Sequence, residues 1–207
     1  CEQTAKGTGC TQGGVCGKDI TTAGLQDLLI HASQGIAMYA HRARKLGAHR
    51  RSVDVFVMEA LFTTVTNVNF DPERLHKLLK QAAAIRTEAR ELYEDAVAKK
   101  GASPERLTGP ATWEPADDLK GLLKQAGEVS IVKRKEAVGE DIVGLQELIL
   151  YGLKGTAAYA EHAQVLGKED LKVYAFFHEV LDFLTQPKPA VDALLGRLSD
   201  SESHVRR

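Results

Sequence analysis

The sequence predicts an all-α protein, built as two sequence-related three-helix bundles preceded by a loop rich in cysteine and glycine. Through most of the chain, apolar residues recur at steps of three and four, which is the period of an amphipathic helix. One long helical segment returns later in the chain with many identical residues. No segment shows a convincing strand pattern. All three cysteines lie within the first 16 of the 207 residues.

The composition excludes several classes of protein. The chain is 43% hydrophobic and 27% charged, which is ordinary for a soluble globular protein. A net charge of −1 gives no electrostatic reason to expect a nucleic-acid partner. No apolar run approaches the roughly 18–20 residues of a membrane helix, and the polar N-terminus lacks the apolar core of a signal peptide. We therefore expect a cytoplasmic protein with neither a membrane nor a nucleic-acid partner.

Residues 1–19 form the candidate ligand loop, with Cys1, Cys10 and Cys16 spaced as C-x8-C-x5-C among five glycines. An odd, crowded set of cysteines argues against a disulfide framework and favours a metal, a cluster or a redox-active thiol. Zinc ribbons prefer C-x2-C pairs, so the long glycine-filled gaps favour a cluster. Cubane clusters usually take four thiolates, and we expect a fourth just upstream of Cys1. A zinc-binding or metal-free helical interaction module stays open as the alternative.

Residues 20–100 are predicted to form the first three-helix bundle. A first helix, capped by Thr21 or Thr22, runs to about Lys45. A second spans about 52–66. Asp71 followed by proline is a strong start for the third, with Asp as the N-cap and Pro at the first helical position, and this helix runs to about residue 99.

Residues 101–127 are predicted to be a proline-rich crossover that ends in a short helix at about 116–126. Trp113 is expected to hold the crossover against a bundle. The short apolar stretch at 129–132 is expected to be an extended connector.

The second bundle, residues 128–207, is predicted from a repeat. Gly24–Gly47 aligns with Gly144–Gly167 at an offset of 120, with 11 of 24 positions identical. Two further helices are expected at about 169–184 and 188–198. Both copies keep a mid-helix glycine, Gly35 and Gly155. Such a glycine costs about 1 kcal/mol against alanine, so we expect a neighbouring helix to pack closely there.

Two other groups of residues are weaker candidates. Glu73 and His76 match the carboxylate–histidine step of di-iron bundles, but that site needs two copies, so a surface or packing role is favoured. A basic cluster at residues 42–51 is most simply a solvated helix end, and docking of an acidic redox partner is the alternative. Its members are Arg42, Arg44, Lys45, His49, Arg50 and Arg51.

The string CEQTAKGTGCTQGGVCGK closely resembles the N-terminus of the hybrid-cluster proteins, also called prismane proteins or hydroxylamine reductases. In that family a further cysteine lies three residues before the position matching Cys1. Three more segments agree: LQDLLIHASQGIAMYA (25–40), TNVNFD (66–71) and YGLKGTAAYAEHAQVLG (151–167). The resemblance extends to about residue 198, and it includes the paired three-helix bundles of the family's N-terminal domain.

This resemblance implies that Cys1, Cys10 and Cys16 are metal ligands and cofactor-binding residues. They would supply three of the four ligands of a 4Fe–4S cluster that relays electrons inward from a soluble redox donor protein. It further implies that hydroxylamine or nitric oxide is reduced at a separate hybrid iron–sulfur–oxygen cluster. That cluster belongs to later α/β domains of the same polypeptide, so no catalytic residue is assigned within these 207 residues.

Overall fold

The structure, a computed structural model, describes residues 16–187 and 189–197, and these residues contain helices and no strand. The all-α prediction is therefore confirmed for the described part of the chain. The loop of residues 1–19 lies mostly outside it. The helices are α1 (Ile20–Lys45), α2 (Arg51–Thr63), α3 (Pro72–Ala98), α4 (Leu119–Val129), α5 (Ile131–Val138), α6 (Glu140–Val165) and α7 (Leu171–Phe183), with a 3₁₀ turn at Gly109–Thr112. A short helical segment follows at residues 191–197.

Side chains just before the helices fix several of the starts. Asp19 accepts a hydrogen bond from the backbone N–H of Thr22 at 2.6 Å, so it caps α1 in place of the predicted threonines. Asp71 accepts the N–H groups of Glu73 and Arg74 and caps α3, with Pro72 at its first position as predicted.

The predicted connector at 129–132 is wrong, because α4 runs to Val129 and α5 begins at Ile131. Ser130 separates the two helices and caps the second, since its hydroxyl accepts the N–H of Lys133. A single extended residue therefore suffices for the change of direction. The short crossover helix also begins later than expected, after its N-cap Asp118.

The sequence repeat is also a repeat of structure. Helices α1 and α6 are both 26 residues long, α2 and α7 are both 13, and each pair starts 120 residues apart. The two units pack crosswise, α1 against α7 and α2 against α6, while α3 covers α1 along much of its length. The helices therefore share one buried core that spans both units.

The 3₁₀ turn of the crossover, Gly109–Thr112, packs directly against α1. The carbonyl oxygen of Pro110 lies 2.1 Å from where a Cβ of Gly35 would be, so only glycine fits at this position. The close neighbour is thus a turn of main chain rather than the expected helix. Trp113 lies against the core, and its ring meets His31 edge-on with centroids 6.3 Å apart.

Candidate functional site

Cys16 is the one candidate ligand that the structure describes. It carries a free, half-buried thiol and lies four residues before the start of α1. Cys1 and Cys10 lie outside the described residues, so the three-cysteine ligand set stays a prediction. Three thiolates on a glycine-rich loop are the donor chemistry that iron–sulfur clusters use, and the one described thiol is accessible enough to take part.

Lys18 lies between Cys16 and the start of α1 in the sequence, and its charge interacts with Cys16. Burial lowers the pKa of Lys18, while the charges of Cys16 and Asp27 act to raise it. Lys18 Nζ donates to Gln26 Oε1 at 2.6 Å, which ties the lysine side chain to α1.

Gln26 also joins α1 to the loop between α2 and α3. Its side-chain nitrogen donates to the backbone oxygen of Asn69 at 2.9 Å, in a buried hydrogen bond. The Asn69 side chain accepts the N–H of Asp71 at 2.9 Å, and Asn67 adopts a positive φ of 65° in the turn before it. The segment TNVNFD, one of the four that carry the family resemblance, therefore packs next to the chain leaving Cys16.

No sequence motif predicts the roles of Lys18, Gln26 and Asn69. The identity of Gln26 with its repeat partner Gln146 was a signal, because both side chains are buried polar groups on long helices. The loop geometry that brings Asn69 to Gln26 is not visible in a sequence pattern.

A cavity of about 280 Å³ lies beside this region, between α1, α5, α6 and the turn after α7. Burial raises the pKa of Asp27, on its wall, to about 6, partly offset by the charge of Lys154. Burial also lowers the pKa of His31 to about 4, so this imidazole is neutral at pH 7. The wall also carries an ion pair between Arg134 and Glu147.

The basic cluster at residues 42–51 is largely neutralised within the chain. Arg42 pairs with Glu105 at 2.7 Å and Asp182 at 2.8 Å. The other paired arginines are Arg44 with Asp54, Arg50 with Glu88 and Arg51 with Glu169. Because these charges already have partners, the structure favours a role in holding the helices together over the docking of an acidic protein.

Within residues 16–187 and 189–197, no group of three or more His, Cys, Asp or Glu side chains is placed to hold a metal ion. Glu73 and His76 lie on α3 and belong to no such group. None of the described helices is long and apolar enough to cross a membrane.

The described residues form a helical domain with a duplicated helix pair, and comparison with known proteins gives its family. The sequence pattern of the Prismane/CO dehydrogenase family matches residues 1–204. The chain belongs to this family, and the resemblance drawn from its motifs is confirmed.

Curated relatives are 44–50% identical to the chain over the regions that align. A protein of Rhodospirillum rubrum is 50% identical over 196 residues, and one of Acidithiobacillus ferrooxidans is 48% identical over 199. A third, from Geobacter sulfurreducens, is 44% identical over 198 residues. Each is named hydroxylamine reductase, and each match covers 94–95% of this chain. The chain spans about 36% of the length of these relatives.

Proposed function

We propose that this chain is the electron-relay domain of a hydroxylamine reductase of the hybrid-cluster type. Membership of the Prismane/CO dehydrogenase family over residues 1–204 is the observation that carries the proposal. The relatives' shared name supports the reaction class, and the cysteine loop supports the cofactor.

Cys1, Cys10 and Cys16 would hold the cofactor, with a fourth ligand supplied from outside these residues. When bound, a 4Fe–4S cluster supplies a carrier for one electron at a time. The glycines of the loop let backbone N–H groups approach the sulfurs, and such hydrogen bonds tune the reduction potential.

Hydrogen bonds among the described residues hold the chain next to Cys16, the third proposed ligand, in place. Asp19 fixes the start of α1, and Lys18 is held by Gln26, so the chain leaving Cys16 is tied to a helix at two successive positions. Gln26 is in turn tied to Asn69. A firmly held ligand moves little when its charge changes, which suits electron transfer.

In the complete enzyme we propose that two electrons and two protons convert hydroxylamine to ammonia and water, with nitric oxide as the alternative substrate. The reduction takes place at a hybrid cluster held by further α/β domains of the polypeptide. A soluble redox protein donates the electrons. We propose the cytoplasm as the location of the enzyme.

The test is anaerobic reconstitution of the full-length polypeptide with iron and sulfide. We expect a broad absorbance near roughly 400 nm that bleaches with dithionite, as cysteine-ligated clusters show. Cys16→Ser should lower the bound iron by about the content of one cluster, whereas the control Thr11→Ser, in the same loop, should leave it unchanged.

Two results would contradict the proposal. Stoichiometric zinc in the loop, with no visible band from it, would indicate a zinc-stabilised module. Unchanged metal content and melting after all three cysteines are replaced by serine would indicate a metal-free helical scaffold.

A further inference from the structure

The second copy of the repeated long helix exposes a face that the first copy buries. Leu28 and Tyr39 on α1 are 0% and 7% exposed, whereas their counterparts Leu148 and Tyr159 on α6 are 54% and 73% exposed. Each pair is the same residue type at the same place in the repeat. The chain therefore keeps a core-type face on α6 that the described residues leave uncovered.

The exposed residues form one continuous stripe. Gly144, Leu148, Tyr151, Gly155 and Tyr159 follow each other at steps of four, three, four and four, so they share one face of α6. Leu148, Tyr151 and Tyr159 offer apolar surface, and Gly155 leaves a gap between the two tyrosines. Isolated exposed apolar residues need no explanation, but an ordered stripe of this kind marks an interface.

The first unit shows what covers such a face. Helix α3, which follows α2 in the chain, packs along α1, and the ring of Tyr93 lies 6.3 Å from that of Tyr39. The main chain of the following crossover then approaches Gly35, through the carbonyl of Pro110. On α6, a Cβ at Gly155 would meet no atom of the described residues within 4 Å. Gly155 thus retains the room for a main-chain contact that Gly35 uses.

The order of the helices along the chain indicates which part of the polypeptide covers the stripe on α6. In the first unit, the polypeptide that covers α1 comes directly after α2. The equivalent polypeptide in the second unit comes after α7 and begins with the helical segment 191–197, whose Leu194 is already buried in the shared core. Since α3 is 27 residues long, a segment of equal length would extend beyond residue 207, and the relatives are nearly three times as long as this chain.

We infer that the α6 stripe is the seat of polypeptide that lies beyond residue 207 in the full-length protein. Apolar side chains of that polypeptide pack along Leu148, Tyr151 and Tyr159, and its main chain approaches Gly155 as closely as Pro110 approaches Gly35. This inference rests on the repeat and not on the cluster, so its readouts need no iron, and its failure would leave the proposed electron-relay function untouched.

Hydroxyl-radical footprinting of the full-length polypeptide tests the contact directly. Tyr151 and Tyr159 should be protected to the same degree as buried Tyr39, with the denatured polypeptide as the fully exposed reference. Modification of Tyr159 at the denatured level would overturn the inference. Protection that disappears on dilution would assign the stripe to a second copy of the chain, and that also overturns it.

A pair of glycine variants tests the close approach. In the full-length polypeptide, Gly155→Ala should lower the melting temperature, because the new Cβ would meet main chain. The control Gly127→Ala, inside α4 with no neighbour within 4 Å among the described residues, should raise the melting temperature or leave it unchanged. Equal behaviour of the two variants would show that nothing approaches Gly155.

Discussion

His178 of α7 and Asp54 of α2 form a buried hydrogen bond between the two copies of the repeated helix pair, with 2.8 Å between Nε2 and Oδ1. Their side chains are 0% and 2% exposed, so both polar groups depend on partners within the protein. Their repeat counterparts are Met58 and Tyr174. The bond is therefore made at positions where the two copies have diverged.

Arg44 completes this buried network. Its guanidinium lies 2.5 Å from Asp54 Oδ2. Burial acts to raise the pKa of Asp54, but the hydrogen bonds from His178 and Arg44 outweigh it and lower that pKa. Burial lowers the pKa of His178, although the hydrogen bond and the charge of Asp54 act to raise it. The native network is therefore an anionic Asp54 with a neutral imidazole that donates through Nε2 and a charged Arg44.

We predict that Asp54→Asn destabilises the protein by about 3 kcal/mol, because it leaves the largely buried Arg44 without its counter-charge. Urea unfolding at pH 7 measures the change. Glu136→Gln is the control: it removes an exposed pair with Lys133 and should cost no more than about 0.5 kcal/mol. Equal costs for the two variants would show that the Asp54 network contributes nothing beyond a surface pair.

The neutral state of His178 predicts a loss of stability in mild acid. Because its folded pKa is lowered, the unfolded chain binds the proton more tightly, so stability falls as the pH drops below about 6.5 towards the folded value. His31 acts in the same direction down to about pH 4. In His178→Gln, the stability difference from the wild type should shrink between pH 7 and pH 5. A difference that stays constant over this range would place the folded pKa of His178 near its ordinary value and contradict the prediction.

Local signals made most of the helices predictable. The start of α3 followed from Asp71 and Pro72, whose capping chemistry acts within one turn. The repeat of α1 as α6 followed from identical residues at a fixed offset. The crosswise packing of α1 on α7 and α2 on α6 did not follow, because duplicated helices carry similar apolar faces and the sequence does not say which copies pair.

Only the cysteine ligands of the candidate site were predictable from the sequence, and the contacts around them were not. Cysteine spacing predicts Cys16 as a ligand, since ligand chemistry is restricted to a few residue types, and this role stays a prediction. The contacts that hold the chain after it join Gln26 to Asn69 across 43 positions and depend on a loop that passes through the positive φ of Asn67. The cavity at Asp27 likewise arises from helices that are distant in sequence, so no local pattern indicates it.

The raised pKa of Asp27 predicts a pH dependence of stability opposite to that from His178. Its folded pKa of about 6 lies above the unfolded value, so the contribution of this group to stability is present at low pH and is lost as the pH rises from about 4 through 6. The charged groups around it are Lys154, Glu147, Arg134 and Lys18. The neutral variant Asp27→Asn should therefore gain about 1–2 kcal/mol on the wild type between pH 4 and pH 7, allowing for the partial exposure of the carboxyl.

Urea unfolding of both proteins at several pH values measures this gain. The control Asp117→Asn, at a crossover position outside the cavity, should follow the wild type. A gain that does not change with pH would place the folded pKa of Asp27 near its ordinary value and contradict the prediction.

The two mid-helix glycines should respond oppositely to the same substitution in the 207-residue chain. Gly35→Ala places a methyl group against the Pro110 carbonyl and should cost about 2–3 kcal/mol, since main chain must move. Gly155→Ala meets no atom of the described residues within 4 Å and should gain up to about 1 kcal/mol from helix propensity. Thermal unfolding compares them. A tolerated Gly35→Ala would mean that the crossover does not pack against α1. A Gly155→Ala variant that stabilises this chain but destabilises the full-length polypeptide would place the contact of the covering polypeptide at α6.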